Sequence, residues 1–142
     1  MVGKTQMKHE LFLDSAFVIA LSIETDSFHK KAAQISENLE GEILVTTRAI
    51  LLEIGNALSK PPYRKASVAL LRSLETDETV VIVPLSEDLY QKGMTLFVKR
   101  TDKEWGLIDC ISFVVMQERK ISEALTTDVH FQQAGFHALM RE

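Results

Sequence analysis

Four acids stand where ionised groups are hard to place: Asp14 in Leu11–Leu21, Glu53 among Ile50, Leu51, Leu52, Ile54 and Ala57, Asp109 in Leu107–Gln117, and Asp128 after Glu123–Thr126. An isolated carboxylate buried in apolar surroundings takes up a proton or finds a positive partner. None of the four has a Lys or Arg three or four residues away, so no partner is local on a helix. Two carboxylates about 4 Å apart repel by roughly 4 kcal/mol at an effective dielectric near 20, and a cluster of four therefore calls for a cation of high charge. An all-oxygen ligand set suits Mg²⁺ or Mn²⁺, and the absence of Cys and His clusters speaks against zinc.

Taken singly, the three aspartates have ordinary explanations. Asp14 can cap a helix starting at Ser15, Asp109 can sit in a first helical turn where the dipole favours an anion, and Asp128 can be a turn residue. Glu53 lies in mid-helix with no capping role, and it turns the four into a candidate shared site.

The elements that must position these acids follow from periodicity. Leu11–Leu13 reads as a buried strand that turns at Asp14 into a helix, which puts the acid at a strand's carboxyl end, where open parallel sheets bind ligands. His29–Leu39 is a helix ended by Gly41, Glu42–Val45 is a strand, and Thr46-Thr47 caps a helix over Arg48–Ser59 that Pro61-Pro62 stops. Tyr63–Leu74 is amphipathic, Thr79–Val83 is the most β-branched run, and Ser86 opens a helix to about Val98. Leu107–Gln117 is a helix, Glu123–Thr126 an inner strand, His130–Ala134 a helical turn and His137–Met140 an edge strand. Strands alternating with helical segments imply right-handed crossovers and a mainly parallel α/β sheet. Met1–Glu10 is polar and is expected to fray, apart from its last residues, which lead into the first strand.

Composition bounds the rest. With 142 residues and 46% hydrophobic content the chain fits a single domain, 1–142. A formal charge of −4 argues against a broad basic nucleic-acid surface but leaves room for a basic rim. One cysteine, Cys110, cannot make an internal disulfide or a multi-thiolate site, and no leader or membrane segment is recognised, so a cytoplasmic protein is expected.

The blocks Phe12-Leu13-Asp14-Ser15-Ala16, Leu52-Glu53-Ile54-Gly55-Asn56-Ala57-Leu58, Asp102-Lys103-Glu104-Trp105-Gly106-Leu107-Ile108-Asp109-Cys110-Ile111-Ser112-Phe113 and Leu125-Thr126-Thr127-Asp128-Val129-His130-Phe131 together resemble the PIN-domain family, small metal-dependent ribonucleases that include VapC-like toxins of toxin–antitoxin pairs. The likeness spans nearly the whole chain, and its last two blocks are the most specific. It implies a parallel sheet of about five strands flanked by helices, with the four acids converging at one end. It also implies hydrolysis of RNA phosphodiesters with one or two ions, Mg²⁺ or Mn²⁺, held by Asp14, Glu53 and Asp109, with Asp128 completing the site or orienting water. An antitoxin protein and a second copy of the chain, in a homodimer with Tyr63–Leu74 as a candidate contact, are the implied partners. Gly106 stands where close members often carry Ser, a weaker cap for the helix that bears Asp109.

Beside the acids, Thr126 shares a strand face with Asp128 and Asn56 a helix face with Glu53, so both are candidates to support ligands or water. Lys60, Arg64, Lys65, Lys99, Arg100 and Lys103 are candidate RNA contacts at the rim, each equally explicable as a solvated helix end. Trp105 is expected as a core anchor more than a base-stacking platform, Cys110 as a small buried hydrophobe, and the four histidines as surface or capping residues. Two rival classes fit less well. A phosphatase with an aspartyl nucleophile wants a second Asp two residues after the first, where Ala16 stands; a receiver domain leaves Glu53 unexplained. A housekeeping RNA-processing nuclease and an idle PIN fold used for protein association remain alternatives within the resemblance.

Overall fold

The apolar tripeptide Leu11-Phe12-Leu13 is buried at every side chain, and it forms most of the central strand β1, Glu10–Leu13. The computed structural model describes residues 9–142 of the chain. The expected fraying of Met1–Glu10 lies, for residues 1–8, outside the described residues. Strand β1 is flanked by β2 (Ile43–Thr47) on one side and β4 (Glu123–Leu125) on the other; β3 (Val80–Val83) lies beyond β2, and β5 (His137–Ala138) beyond β4. All four pairings are parallel, in the order β3-β2-β1-β4-β5.

The chain steps outward from β1 to β3 and then crosses to β4, so the order reverses between β1 and β4. Crossovers leaving these neighbours diverge there and open a crevice at their carboxyl ends. Asp14 follows β1 and Asp128 follows β4, and the Asp14 amide donates to the Leu125 carbonyl at 3.2 Å.

The helices are α1 (Ser15–Ser22), α2 (His29–Ser36), α3 (Arg48–Ala57), α4 (Pro61–Thr76), α5 (Glu87–Lys99), α6 (Leu107–Arg119) and α7 (Val129–Gln133). Helix α5 packs on α6, α1 on α2 and α3, and α3 on α4. Their starts follow the sequence: Thr47 Oγ1 accepts from the Ile50 amide at 3.1 Å and Ser86 Oγ from the Leu89 amide at 3.1 Å.

Several boundaries differ from expectation. Helix α2 ends at Ser36 instead of Leu39, where Ser36 Oγ donates to the Ala33 carbonyl at 2.7 Å and the Asn38 side-chain amide to the Gln34 carbonyl at 3.2 Å; short polar side chains here compete with the helical ladder. Strand β2 runs on through Thr46 and Thr47, which pair with Ile82 and Val83 before Thr47 turns to capping. Pro61 and Pro62 do more than stop α3: they occupy the first turn of α4, where their missing N–H groups cost nothing. After β5 the chain makes a 3₁₀ turn, Leu139–Arg141, in place of a longer strand, and the Met140 amide donates to the Thr126 carbonyl at 3.3 Å.

Candidate metal centre

Asp14 opens α1, yet its side chain makes no cap bond. Instead Asp14 is buried, and its Oδ2 accepts a hydrogen bond from Thr126 Oγ1 at 2.7 Å, across the β1–β4 junction. Thr126 is fully buried and its oxygen also accepts from the Asp128 amide at 3.0 Å, so one hydroxyl ties the Asp14 side chain to the Asp128 backbone.

Glu53 reaches the same region from mid-α3, and Ser15 Oγ, on the first turn of α1, donates to its Oε1. Asp109 lies in the first turn of α6, with Gly106 as the N-cap; its Oδ2 accepts from the Gly106 amide at 3.2 Å and faces His130 Nδ1 at 3.1 Å. Asp128 caps α7 through Oδ1, which accepts from the His130 amide at 2.8 Å and lies 3.4 Å from His130 Nδ1. The capping explanations for Asp109 and Asp128 therefore hold together with a site, since in each case one oxygen is tied up and the other is left over. The second oxygens of Glu53, Asp109 and Asp128 meet no hydrogen-bond donor among the described residues.

The electrostatics of the acids reflect burial first and neighbouring charge second. Burial, chiefly, pushes the Asp14 carboxyl up to about 7; the Thr126 bond opposes this, the charges on Glu53 and Asp109 add to it, and the Ser15 amide opposes it weakly. Asp109 is also raised, again mainly by burial, with the His130 bond lowering it and Asp128 raising it. Among the described residues no Lys or Arg forms an ion pair with any of the four. Asp109, Asp128 and His130 can each present a ligand atom within 4.8 Å of the others. Carboxylates from separate elements, each held at one oxygen by a protein donor and without a cationic side chain paired to them among the described residues, fit a hard divalent cation.

Two members of the site escape a reading of the sequence. Ser15 adjoins Asp14, and its only signal is that adjacency. His130 is expected at the surface or in capping, which is corrected by its place between Asp109 and Asp128; its position two residues after Asp128 is the available signal.

Asn56 is exposed and lines, with Glu53, Leu52, Leu85, Leu107 and Ile108, a groove of about 390 Å³ beside the acids. A larger hollow of about 830 Å³, lined by Glu10, Ile43 and Ser122, lies at the opposite, amino ends of β1, β2 and β4 and holds none of the four. Lys60, Arg64, Lys65 and Lys99 are exposed and Lys103 half-buried; Arg64 Nε donates to the Ser59 carbonyl at 2.8 Å. Arg100 is engaged locally, with Nε 2.9 Å from Asp102 Oδ1 and its guanidinium 4.7 Å from the centre of the Trp105 ring. Trp105 is buried and donates from Nε1 to Gln133 Oε1 at 3.0 Å, as a core anchor would.

Comparison with known proteins agrees with this architecture. A family model described as the PIN domain matches residues 11–137. The 23S rRNA-specific endonuclease VapC20 of Mycobacterium tuberculosis, in strains CDC 1551 and H37Rv, is 25% identical over 126 residues, covering 89% of this chain and 95% of the relative. The crystal structure of M. tuberculosis VapC20, described there as a sarcin-ricin loop cleaving toxin, superposes with a TM-score of 0.82 at 24% identity, covering 90% of this chain and 97% of that one. That likeness confirms the fold: five parallel strands flanked by helices.

Proposed function

The chain belongs to the PIN-domain family, and on that premise we propose that it is a metal-dependent endoribonuclease that hydrolyses RNA phosphodiester bonds and serves as the toxin of a toxin–antitoxin pair. One observation carries the reading: four acids from separate elements each have one oxygen anchored by a protein donor, the charges of Glu53 and Asp109 act on Asp14, and Asp109 and Asp128 bring ligand atoms within 4.8 Å of each other. A structural carboxylate gains nothing from like-charged neighbours, whereas a ligand set requires them.

Asp14, Glu53 and Asp109 are the principal ligands of Mg²⁺ or Mn²⁺, as one ion or two, and Asp128 completes the set or orients the attacking water. Bound metal supplies charge neutralisation at the phosphate and lowers the pKa of water. The protein's own part is positional. Thr126 holds Asp14, Ser15 holds Glu53, and burial excludes competing water from Asp14. No side chain has to become a covalent nucleophile. Asn56 lies where it can meet substrate in the groove beside Glu53, and Lys60, Arg64, Lys65, Lys99 and Lys103 supply a basic rim for the phosphate backbone, with Arg100 acting mainly on its own loop.

The same reading takes in a single 1–142 domain working in the cytoplasm as a homodimer, with a cognate antitoxin as its protein partner. No helix among the described residues is long and apolar enough to cross a membrane. The decisive experiment incubates RNA, beginning with 23S rRNA because the relative is named for it, with the wild type and Asp14→Asn, each with Mg²⁺ or Mn²⁺ and with EDTA. Cleavage only by the metal-loaded wild type is expected; undiminished cleavage by a folded, contaminant-free Asp14→Asn protein sinks the mechanism. Growth arrest on expression alone, relieved by the product of an adjacent gene, tests the toxin assignment, and a housekeeping nuclease shows neither.

A further inference from the structure

His130 is the one imidazole in the site, and the hydrolytic chemistry leaves it without a task. Its ring sits between two acids from different elements: Nδ1 is 3.1 Å from Asp109 Oδ2 and 3.4 Å from Asp128 Oδ1. Its hydrogen-bond partner is Asp109 Oδ2, which accepts when ionised, so Nδ1 carries the hydrogen and donates to it, while Asp128 Oδ1 lies within ion-pair reach of the same ring. The His130 amide independently fixes Asp128 Oδ1 at 2.8 Å, and the Gly106 amide fixes Asp109 Oδ2 at 3.2 Å. Each acid is thus tied to its own helix start by backbone, while the ring is what joins one acid to the other. Without it the two like charges face each other with nothing between them, and side-chain rotation that separates them is downhill.

We propose that His130 is a positioning residue for the cation site: its ring, hydrogen-bonded to Asp109 through Nδ1–H and packed against Asp128 Oδ1, keeps the two acids at one separation and so sets metal affinity without touching the ion. The inference rests on the metal-centre reading above. It also gives Asp109 a division of labour, since Oδ2 already accepts two donors and Oδ1 is the oxygen left for the ion.

The test is Mn²⁺ binding to the RNA-free full chain, followed by electron paramagnetic resonance, for the wild type and for His130→Asn, His130→Gln and His130→Ala. The asparagine amide nitrogen falls near the place of Nδ1 and the glutamine nitrogen near that of Nε2, so the pair separates a donor at one atom from mere bulk. Wild type and His130→Asn are expected to agree within about threefold, with His130→Gln and His130→Ala weaker by about tenfold or more, as for other groups that orient ligands. Thermal unfolding in EDTA establishes that the variants fold, and if alanine does not, the Asn–Gln contrast still decides. Equal affinity in all folded variants, or equal weakening of Asn and Gln, overturns the proposal. Pulsed resonance on the wild type is expected to show no directly coordinated imidazole nitrogen; such a coupling would make His130 a ligand and overturn it too. Failure of the wild type to bind Mn²⁺ at all strikes the metal reading itself, a separate result.

Discussion

The Phe113 ring meets the Phe131 ring edge-on, with centroids 5.0 Å apart, and this contact joins the helix that carries Asp109 to the helix that Asp128 opens. Phe12, two residues before Asp14, packs against Phe131 at 6.1 Å, so three acid-bearing elements share one aromatic floor. Truncation there should act on the acids through their supports. Phe113→Ala is expected to destabilise the fold by about 3–5 kcal/mol, a full core-aromatic deletion. Phe113→Leu should fold while losing the edge contact, and its Mn²⁺ affinity should fall by more than its urea midpoint suggests. A leucine variant with unchanged affinity would show that the floor supports the fold and not the site.

Asp14 makes the metal-free protein sensitive to pH in a direction opposite to the usual carboxylate. Its folded value lies near 7 and its ordinary value at 3.8, with burial the main cause. Below pH 3.8 both states hold the proton and the group has no effect; as pH rises from there toward 7 the unfolded chain releases a proton that the folded one keeps, and stability falls. Above about 7 the loss is complete, on the order of a few kcal/mol. In EDTA the urea midpoint should therefore drop between pH 4 and 7, divalent metal should restore it, and Asp14→Asn should remove this part of the slope while abolishing cleavage. A slope unaltered by Asp14→Asn would place the titrating group elsewhere.

Thr126 offers a finer cut, because its hydroxyl both donates to Asp14 and accepts from the Asp128 amide. Thr126→Val keeps the shape and removes both bonds; a cost of about 1–3 kcal/mol is expected for the buried groups left unpaired. Losing the bond that lowers the Asp14 carboxyl should also weaken Mn²⁺ binding at neutral pH, by about tenfold to a hundredfold. Thr126→Ser should restore both. Calorimetric titration of the three proteins with Mn²⁺ checks the order, and a valine variant that binds as tightly as the wild type would reduce Thr126 to a packing residue.

Asp14 is legible in the sequence because burial of a charge in an apolar run is visible in one dimension, whereas Glu53, Asp109 and Asp128, equally framed by apolar neighbours along the chain, are only half-buried in the fold; strand ends are legible from β-branched runs closed by Thr, Ser or Pro. Ser15 and His130 are not, since a hydroxyl or an imidazole beside an acid is equally at home on a surface until the partner from another element is known: Glu53 lies 38 positions from Ser15, and Asp109 lies 21 from His130. The aromatic floor is hidden for the same reason, as Phe12, Phe113 and Phe131 belong to three distant segments. Helix ends such as Ser36 slip because side-chain bonds to backbone compete locally with periodicity.

Gly93 on α5 is needed for a close approach to α6. A Cβ there would lie 2.5 Å from Ile111 Cγ1 and 3.5 Å from Ile111 Cα, so α5 can lie on α6 only while the position has no side chain. Helix propensity alone would make Gly93→Ala stabilising by about 1 kcal/mol. Overpacking should win, and a net loss of about 1–3 kcal/mol is expected, with α6 displaced at Ile111, two residues after Asp109. Thermal unfolding checks the sign, and a rise in Tm would mean that Ile111 rotates away freely.

The basic rim divides by what each side chain already touches. Arg100 is paired with Asp102 at 2.9 Å and covers Trp105, so Arg100→Ala should loosen the loop that leads into α6 and lower stability modestly with little change in RNA affinity. Lys60 and Lys65 are exposed, and they make no ion pair among the described residues. Their joint replacement by Glu should leave Tm and Mn²⁺ affinity unchanged, raise KM for RNA several-fold, and flatten the dependence of binding on salt, because every lysine that no longer neutralises a phosphate takes about one unit off the salt slope. Measuring KM at two ionic strengths distinguishes this from a loss of chemistry: kcat should hold while KM moves. A double variant with wild-type KM at both would place the RNA path on another side of the acids.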